Sequence, residues 1–403
     1  MSNINILFLS IGRLENVNNN GLYTDLLRKF RDEGHNVYVA SPLERKHSKP
    51  TKYTIEHGIH FLRIKIGNLT KTNVIEKGIT TVTLEYIFTK MIKKHFNGIK
   101  FDLILYSTPP ITFGKVISYI KKRDDAVTYL LLKDIFPQNA VDLKILNTKN
   151  PLYSFFRKKE KKLYEASDYI GCMSKENVNF ILRNNTDLYE TKVEISPNTI
   201  EPRPVSYFSK ENFEVFQQYE IPRNKVKLLY GGNLGKPQGI DFLIKCIDSN
   251  KFNEKIHFVI VGSGTQAYKL RKYLKEEQPK NLTLIERLPK EDYDRLLSIC
   301  DVGLIFLDYR FTIPNFPSRL LSYMEASKPV LAATDKNTDI GKIIVENDFG
   351  NWCESKNVSD FNDILPLIYM ENKRVEMGRN GRNYLEENYT IENSYEIILK
   401  HFK

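Results

Sequence analysis

The feature that most constrains this chain is a regular alternation of short apolar runs with longer amphipathic ones, interrupted once and then resumed. In the first half, Ile4–Leu9, Asn36–Ala40, Asp102–Tyr106, Val127–Leu132, Ile170–Met173 and Val193–Ser196 have strand length and composition. Between them, Gly21–Glu33, Gly78–Phe96, a segment ending at Lys122, and Pro151–Ser167 carry helical periodicity. Strands separated by helix-length segments form βαβ units, and those units build parallel sheets. From Glu201 to Asn224 the alternation stops, and Pro202, Pro204 and Pro222 bracket a polar linker. It then restarts with strands Lys227–Tyr230, His257–Val261, Leu282–Ile285 and Val302–Leu307 and helices Ile240–Asp248, Gln266–Lys275 and Lys290–Ile299. A chain of 403 residues exceeds one ordinary core, so the expectation is two α/β halves.

Ligand-binding signals gather where strands end. The run Pro314–Ala333 reads PNFPSRLLSYMEASKPVLAA: prolines fix the approach, Ser318 is placed to cap, Arg319–Ser327 is helical, and Pro329 stops it before a buried strand. The free N–H groups of such a helix start favour an anion, with Arg319 alongside. The loops Gly231–Gly239 and Gly262–Gly264 are expected on the same sheet edge, and three backbone-rich loops there suit a diphosphate. In the first half, the edge loops are Gly12–Gly21, Ser107–Pro110 and Lys133–Asn139, and the charged pair Lys133–Asp134 follows a buried strand.

Several classes are set aside by composition. No apolar run reaches membrane-spanning length, and MSNINILFLSIG reads as a first strand rather than a leader, so a cytosolic protein is expected. Cys172, Cys246, Cys300 and Cys353 have no metal or disulfide spacing and read as reduced core thiols. Residues 1–200 hold 31 Lys+Arg against 20 Asp+Glu, and 201–403 hold 29 against 29, so the net charge of +11 resides in the first half. That asymmetry points to an anionic neighbour. The basic clusters lack nucleic-acid reading motifs, and an anionic membrane surface fits them. The helix Gly78–Phe96, with Lys90, Lys93 and Lys94 at its end, either packs on the sheet or lies on such a surface.

Gly262-Ser263-Gly264-Thr265-Gln266-Ala267 matches G-x-G-x-x-A, with Glu286 ending the next strand 22 residues after Gly264. That pattern suits a dinucleotide, but it falls in the second unit of its half rather than opening it. No P-loop, nucleophile elbow, His-pair metal site or EF-hand is present in the sequence. A nucleoside diphosphate ligand without phosphoryl-transfer motifs points to sugar nucleotides.

The ordered set DIFPQNAVDL (134–143), GCMSKENVNFI (171–181), PNTI (197–200), YGGNLGKPQGID (230–241), VGSG (261–264) and PSRLLSYMEASKPVLAATD (317–335) resembles the retaining glycosyltransferases of family 4. It is similar in particular to the WbuB-like branch associated with N-acetyl-L-fucosaminyl transfer and bacterial surface polysaccharides. The resemblance implies a GT-B fold, two Rossmann-like domains facing each other across a cleft. Residues 1–200 would bind acceptor, 201–384 the nucleotide-sugar donor, and a helix at about 385–403 would pack back on the first domain. It implies a donor site built from Gly232, Asn233, Lys236, Gly262, Gly264, Arg287, Leu288, Ser318, Arg319 and Leu320; Glu325, one helical turn beyond Ser322 on the same face, is the candidate ribose contact. Asp134, Lys133 and Arg319 would be catalytic.

The sequence also departs from the family. Asn233 and Gln238 stand where many members carry Arg and Lys, Pro314 and Ser322 replace two acidic positions, and Lys133 replaces a His that commonly contacts the donor sugar. Loss of that His fits a 6-deoxy donor such as L-FucNAc. The implied partners are a UDP-sugar, an undecaprenyl-diphosphate-linked saccharide and the inner face of the cell membrane, bound peripherally. Neither nucleic acid nor a metal or cofactor is expected. An epimerase of the same fold, or a non-catalytic protein binding nucleotide sugars or polyanions, are the rival readings.

Overall fold

The computed structural model describes residues 3–402 other than Arg13, Glu15, Lys71, 205–213 and Val215. Much of the expected linker therefore lies outside the described residues. The chain divides into two compact units, Met1–Glu201 with Ile391–Lys403, and Pro202–Thr390.

The first unit runs β1 (Asn5–Leu9), α1 (Leu22–Asp32), β2 (Asn36–Glu44), β3 (Lys52–Glu56), β4 (Ile59–Ile66), α2 (Val74–His95), β5 (Leu103–Ser107), α3 (Gly114–Asp124), β6 (Val127–Leu132), α4 (Gln138–Asp142), α5 (Pro151–Ala166), β7 (Tyr169–Cys172), α6 (Lys175–Asn184) and β8 (Val193–Ile195). Its sheet has the order β3-β4-β2-β1-β5-β6-β7-β8. Every neighbouring pair is parallel except β3 with β4. That hairpin escaped the sequence reading. Its turn is only His57-Gly58, both at positive φ (50° and 78°), the geometry of a two-residue hairpin loop.

Both faces of this sheet are covered, as the almost continuous burial of the largely apolar β5 and β6 shows. Ile6 and Phe8 of β1 pack with Leu27 and Phe30 of α1. The same cluster takes in Ile391, Tyr395, Ile398 and Leu399 of a C-terminal helix, Ile391–Leu399. Its entry is fixed by a hydrogen bond from the Ile391 N–H to the Ile200 carbonyl, 2.9 Å. The segment associated with the first unit thus begins at Ile391 rather than near 385, because Glu371–Asn388 is one continuous helix of the second unit.

The second unit runs β9 (Val226–Gly231), α7 (Ile240–Ser249), β10 (Ile256–Val261), α8 (Ala267–Glu277), β11 (Leu282–Ile285), α9 (Lys290–Ile299), β12 (Val302–Phe306), α10 (Arg319–Glu325), β13 (Val330–Thr334), α11 (Ile340–Glu346), β14 (Gly350–Glu354), α12 (Val358–Ile364) and α13 (Glu371–Asn388). Its strands are all parallel, in the order β11-β10-β9-β12-β13-β14. The four cysteines are free and buried. Among the described residues, no helix is long and apolar enough to cross a membrane.

Candidate active site

In the second sheet β9 lies between β10 and β12, so the connections leaving its carboxyl edge diverge to opposite sides. Such a switch point opens a crevice beyond the strand ends. The first loop there places Gly232 at φ 134° and ties its N–H to the Val261 carbonyl at 2.9 Å. Next to it, Leu234 donates to Ser263 O and accepts from Gln266 N–H, both at 2.9 Å. A Cβ on Gly262 would lie 2.0 Å from the Gly232 oxygen, and one on Gly264 2.5 Å from the Leu234 oxygen. Two loops packed backbone on backbone therefore require both glycines. That contact accounts for the G-x-G spacing, while the Glu286 carboxylate is exposed and paired with Arg271 at 2.7 Å.

Arg319 is the first residue of α10 and reaches back over this loop. Its guanidinium carbon stands 4.3 Å from the centre of the Tyr230 ring. Its Nη2 is 3.4 Å from where a Gly232 side chain would begin. Its Nη1 is buried and makes no hydrogen bond among the described residues, and no carboxylate there pairs with it. The surrounding wall is aromatic. Tyr323 donates to the Leu229 and Leu304 carbonyls, each 3.1 Å away, and Gly231 N–H approaches its hydroxyl at 3.3 Å.

Gly231 and Gly303 lack side chains where Tyr293 and Tyr323 fill the space. Burial pushes the Tyr323 hydroxyl up to about 12 and raises that of Tyr230, so these phenols stay neutral and leave the guanidinium uncompensated. The sequence reading did not name these tyrosines. The available signal was a glycine inside a strand, which marks a large neighbour.

Other donor-site residues are placed as follows. Ser318 is not the expected cap: it is already helical (φ −62°, ψ −18°), and its side chain makes no capping bond, because the first turn closes from Pro317 O to Leu320 N–H at 3.1 Å. Leu320 is buried in the core. Asn233 and Gln238, standing where two cations were looked for, bond to each other at 3.3 Å, and Gln238 Oε1 also takes the Gly235 N–H at 3.1 Å. Lys236 makes no ion pair among the described residues and borders a cavity of about 340 Å³ with Gln266, Asp308 and Arg310. Arg287, exposed, and Leu288, half-buried, follow edge strand β11.

Glu325 sits at the far end of α10 from Arg319. Instead of facing a ribose, its carboxylate accepts from the Arg203 N–H at 3.0 Å, Nε at 3.1 Å and Nη2 at 2.7 Å. One helical turn from Ser322 gave the right face but not the partner, which arrives from a segment more than a hundred residues earlier.

In the first unit the order reverses between β1 and β5, and the Ser107–Pro110 loop leaves that edge. Thr108 Oγ1 accepts the N–H groups of both Lys133 (3.0 Å) and Asp134 (3.1 Å), joining the loops after β5 and β6. The two side chains then part. Lys133 Nζ donates to the Ser196 and Pro197 carbonyls at 3.2 and 3.3 Å, and burial pulls its ammonium down to about 7. Asp134 accepts from Asn139 Nδ2 at 2.7 Å, and burial raises its carboxyl to about 6. They form no ion pair with each other. Lys133 acts as a tie between the ends of β6 and β8, and Asp134 is left as a carboxyl poised near neutrality.

The family model described as Glycosyl transferases group 1 matches residues 211–384, within the second unit. Two Rossmann-like units give the chain the GT-B α/β fold, and the family match lies in the second of them. The chain is 25% identical over 393 residues to the probable glycosyltransferase WbjE of Pseudomonas aeruginosa, covering 93% of this chain and 92% of that one. Its fold is similar to sucrose-phosphate synthase of Thermosynechococcus elongatus (TM-score 0.78, 14% identity, 99% and 98% of the chains). It is likewise similar to Anabaena HepE in complex with UDP-glucose (TM-score 0.71, 13% identity, 99% of each chain).

Proposed function

We propose that this chain transfers a sugar from a UDP-sugar to a lipid-linked saccharide, with retention at the anomeric carbon, in the synthesis of a bacterial surface polysaccharide such as capsule or O-antigen. The observation that carries the reading is the uncompensated guanidinium of Arg319, one nitrogen buried without a partner among the described residues, beside the Gly232 backbone. A buried donor with no acceptor is costly, and a diphosphate supplies the missing charge and oxygen atoms. HepE, of the same fold, is seen with UDP-glucose.

As the glycosidic bond to the donor breaks, negative charge grows on the departing diphosphate. Arg319, Lys236 and the loop N–H groups are the groups that stabilise it, which makes a metal ion unnecessary in this scheme. Asp134 orients sugar or acceptor from the first unit. Retention, an N-acetylated 6-deoxy donor such as L-FucNAc, an undecaprenyl-diphosphate carrier and a peripheral place on the cytoplasmic face of the membrane rest on the family resemblance.

Calorimetric titration with UDP, followed by incubation with a UDP-sugar panel and a lipid-linked acceptor with product anomers read by NMR, tests the reading. UDP binding, and a product with the donor's anomeric configuration formed equally in EDTA, are expected. Absence of UDP binding, or conversion of donor in the absence of acceptor, would overturn it.

A further inference from the structure

Helix α2 presents one face to the core through Leu84, Phe88 and Ile92, all buried. Its outward face is also apolar: Ile75, Ile79, Val82 and Tyr86 are 76%, 61%, 63% and 69% exposed. With 3.6 residues per turn, these four together with Lys90 and Lys93 fall within an arc of about 80°, pointing away from the sheet. The stripe is about 16 Å long, at 1.5 Å per residue. It begins at the sheet edge where β1, β5 and β6 also end, since β4 runs parallel to them through β2.

The surroundings of this stripe are cationic. Lys90, Lys93 and Lys94 are exposed at its end, and Lys93 Nζ lies 4.3 Å from the ring centre of Tyr119 on α3. Helix α3 packs on both α2 and α5. Between the three helices runs a groove of about 530 Å³ lined by Lys115, Tyr119, Lys159 and Lys162 together with Glu165 and Glu85 of α2, the last tied to Lys159 at 3.0 Å. Residues 74–166 hold 17 Lys+Arg against 9 Asp+Glu, so +8 of the chain's +11 falls in this one stretch.

We infer that the outer face of α2 is a docking surface for an anionic phospholipid bilayer, with Ile75, Ile79, Val82 and Tyr86 entering the interface and the lysines of α2, α3 and α5 meeting the headgroups. An exposed apolar stripe continued by lysines is the pattern of a helix lying in a membrane interface. A second copy of the chain fits poorly. Packed antiparallel, the helix would set Lys90 and Lys93 against Ile79 and Ile75; packed parallel, it would set lysine on lysine. This deepens the proposed lipid-linked acceptor and rests on that reading for its purpose, but it is tested without catalysis.

The full-length protein is sedimented with vesicles of phosphatidylcholine alone and of phosphatidylcholine with phosphatidylglycerol, at low and high salt. The wild type is expected to bind the anionic vesicles and to be released by salt. Ile75→Ser, Ile79→Ser and Val82→Ser combined should weaken that binding at least tenfold. Lys90→Ala, Lys93→Ala and Lys94→Ala combined should weaken it about a hundredfold, each lysine near an anionic surface contributing about one tenfold step or somewhat less.

These positions are exposed, so both variants should melt within about 2 °C of wild type. A wild type that stays in the supernatant, or a serine variant that binds as wild type does, overturns the inference. So does a serine variant that turns a dimer into a monomer in sedimentation velocity while binding vesicles normally. UDP titrated into the same samples separates the two readings. Vesicle binding without UDP binding strikes the donor assignment alone, and UDP binding without vesicle binding strikes only the docking surface.

Discussion

Removing the Arg319 guanidinium tests the donor assignment where it is most exposed to failure. In the free protein the group, largely desolvated, gains about 2 kcal/mol from Tyr230, 4.3 Å below it. Against this stands a buried Nη1 with no hydrogen bond among the described residues, which costs about 1–3 kcal/mol. The two nearly cancel, so Arg319→Ala should change stability by no more than about 1 kcal/mol, a shift of some 2–4 °C in Tm for a unit of this size.

Catalysis should respond far more. A preorganised donor aimed at developing charge contributes about 2.7–4 kcal/mol, so kcat/KM should fall by about 10²–10³ while the fold holds. Arg319→Lys keeps the charge but loses the planar fork over Tyr230 and should recover only part of the activity. The assay is initial velocity against donor concentration, with differential scanning fluorimetry on the same preparations. Activity of the alanine variant within about threefold of wild type, equivalent to about 0.6 kcal/mol, would refute the reasoning. A melting point lowered by about 10 °C would instead make Arg319 a structural residue.

The other predictions concern residues whose roles the structure redefined. Asp134 has its carboxyl raised by burial to about 6, so between about pH 4 and 6 the folded state holds more protons than the unfolded one and stability falls as pH rises. Asp134→Asn should therefore gain in Tm relative to wild type as pH rises through that window; a constant difference would refute the burial argument. Gly262→Ala places a methyl group 2.0 Å from the Gly232 oxygen and should cost about 3 kcal/mol while weakening UDP binding, so an unchanged melting curve would deny the loop contact. Glu325→Gln breaks the pairing with Arg203, itself partly exposed, and should cost only about 1 kcal/mol with UDP affinity within twofold. A tenfold loss of UDP affinity would restore Glu325 to the ribose.

Much of this was legible before any coordinates. A short, largely apolar run such as Val127–Leu132 between turn signals reads as a doubly covered strand, which puts Lys133–Asp134 at a strand's carboxyl end. Arg319 could be placed at a helix start because proline approach and helix-forming run are local signals. The β3–β4 hairpin was missed because its turn residues, His57-Gly58, form a less familiar pair than Asn-Gly.

What the sequence determined by itself is what depends on neighbours along the chain: the alternation that makes two parallel sheets, the order of their strands' loops, and the concentration of positive charge in the first half. Only the tertiary structure decided which groups meet across long separations. It paired Glu325 with Arg203, turned Asn233 and Gln238 toward each other, gave Gly262 and Gly264 a packing purpose, and set Arg319 on Tyr230 with a nitrogen unsatisfied. It also turned half of an apolar helix outward at Ile75, Ile79, Val82 and Tyr86. Periodicity shows that a helix has apolar residues, but which of them reach the core depends on where the helix lands, and that is set by contacts the linear pattern does not contain.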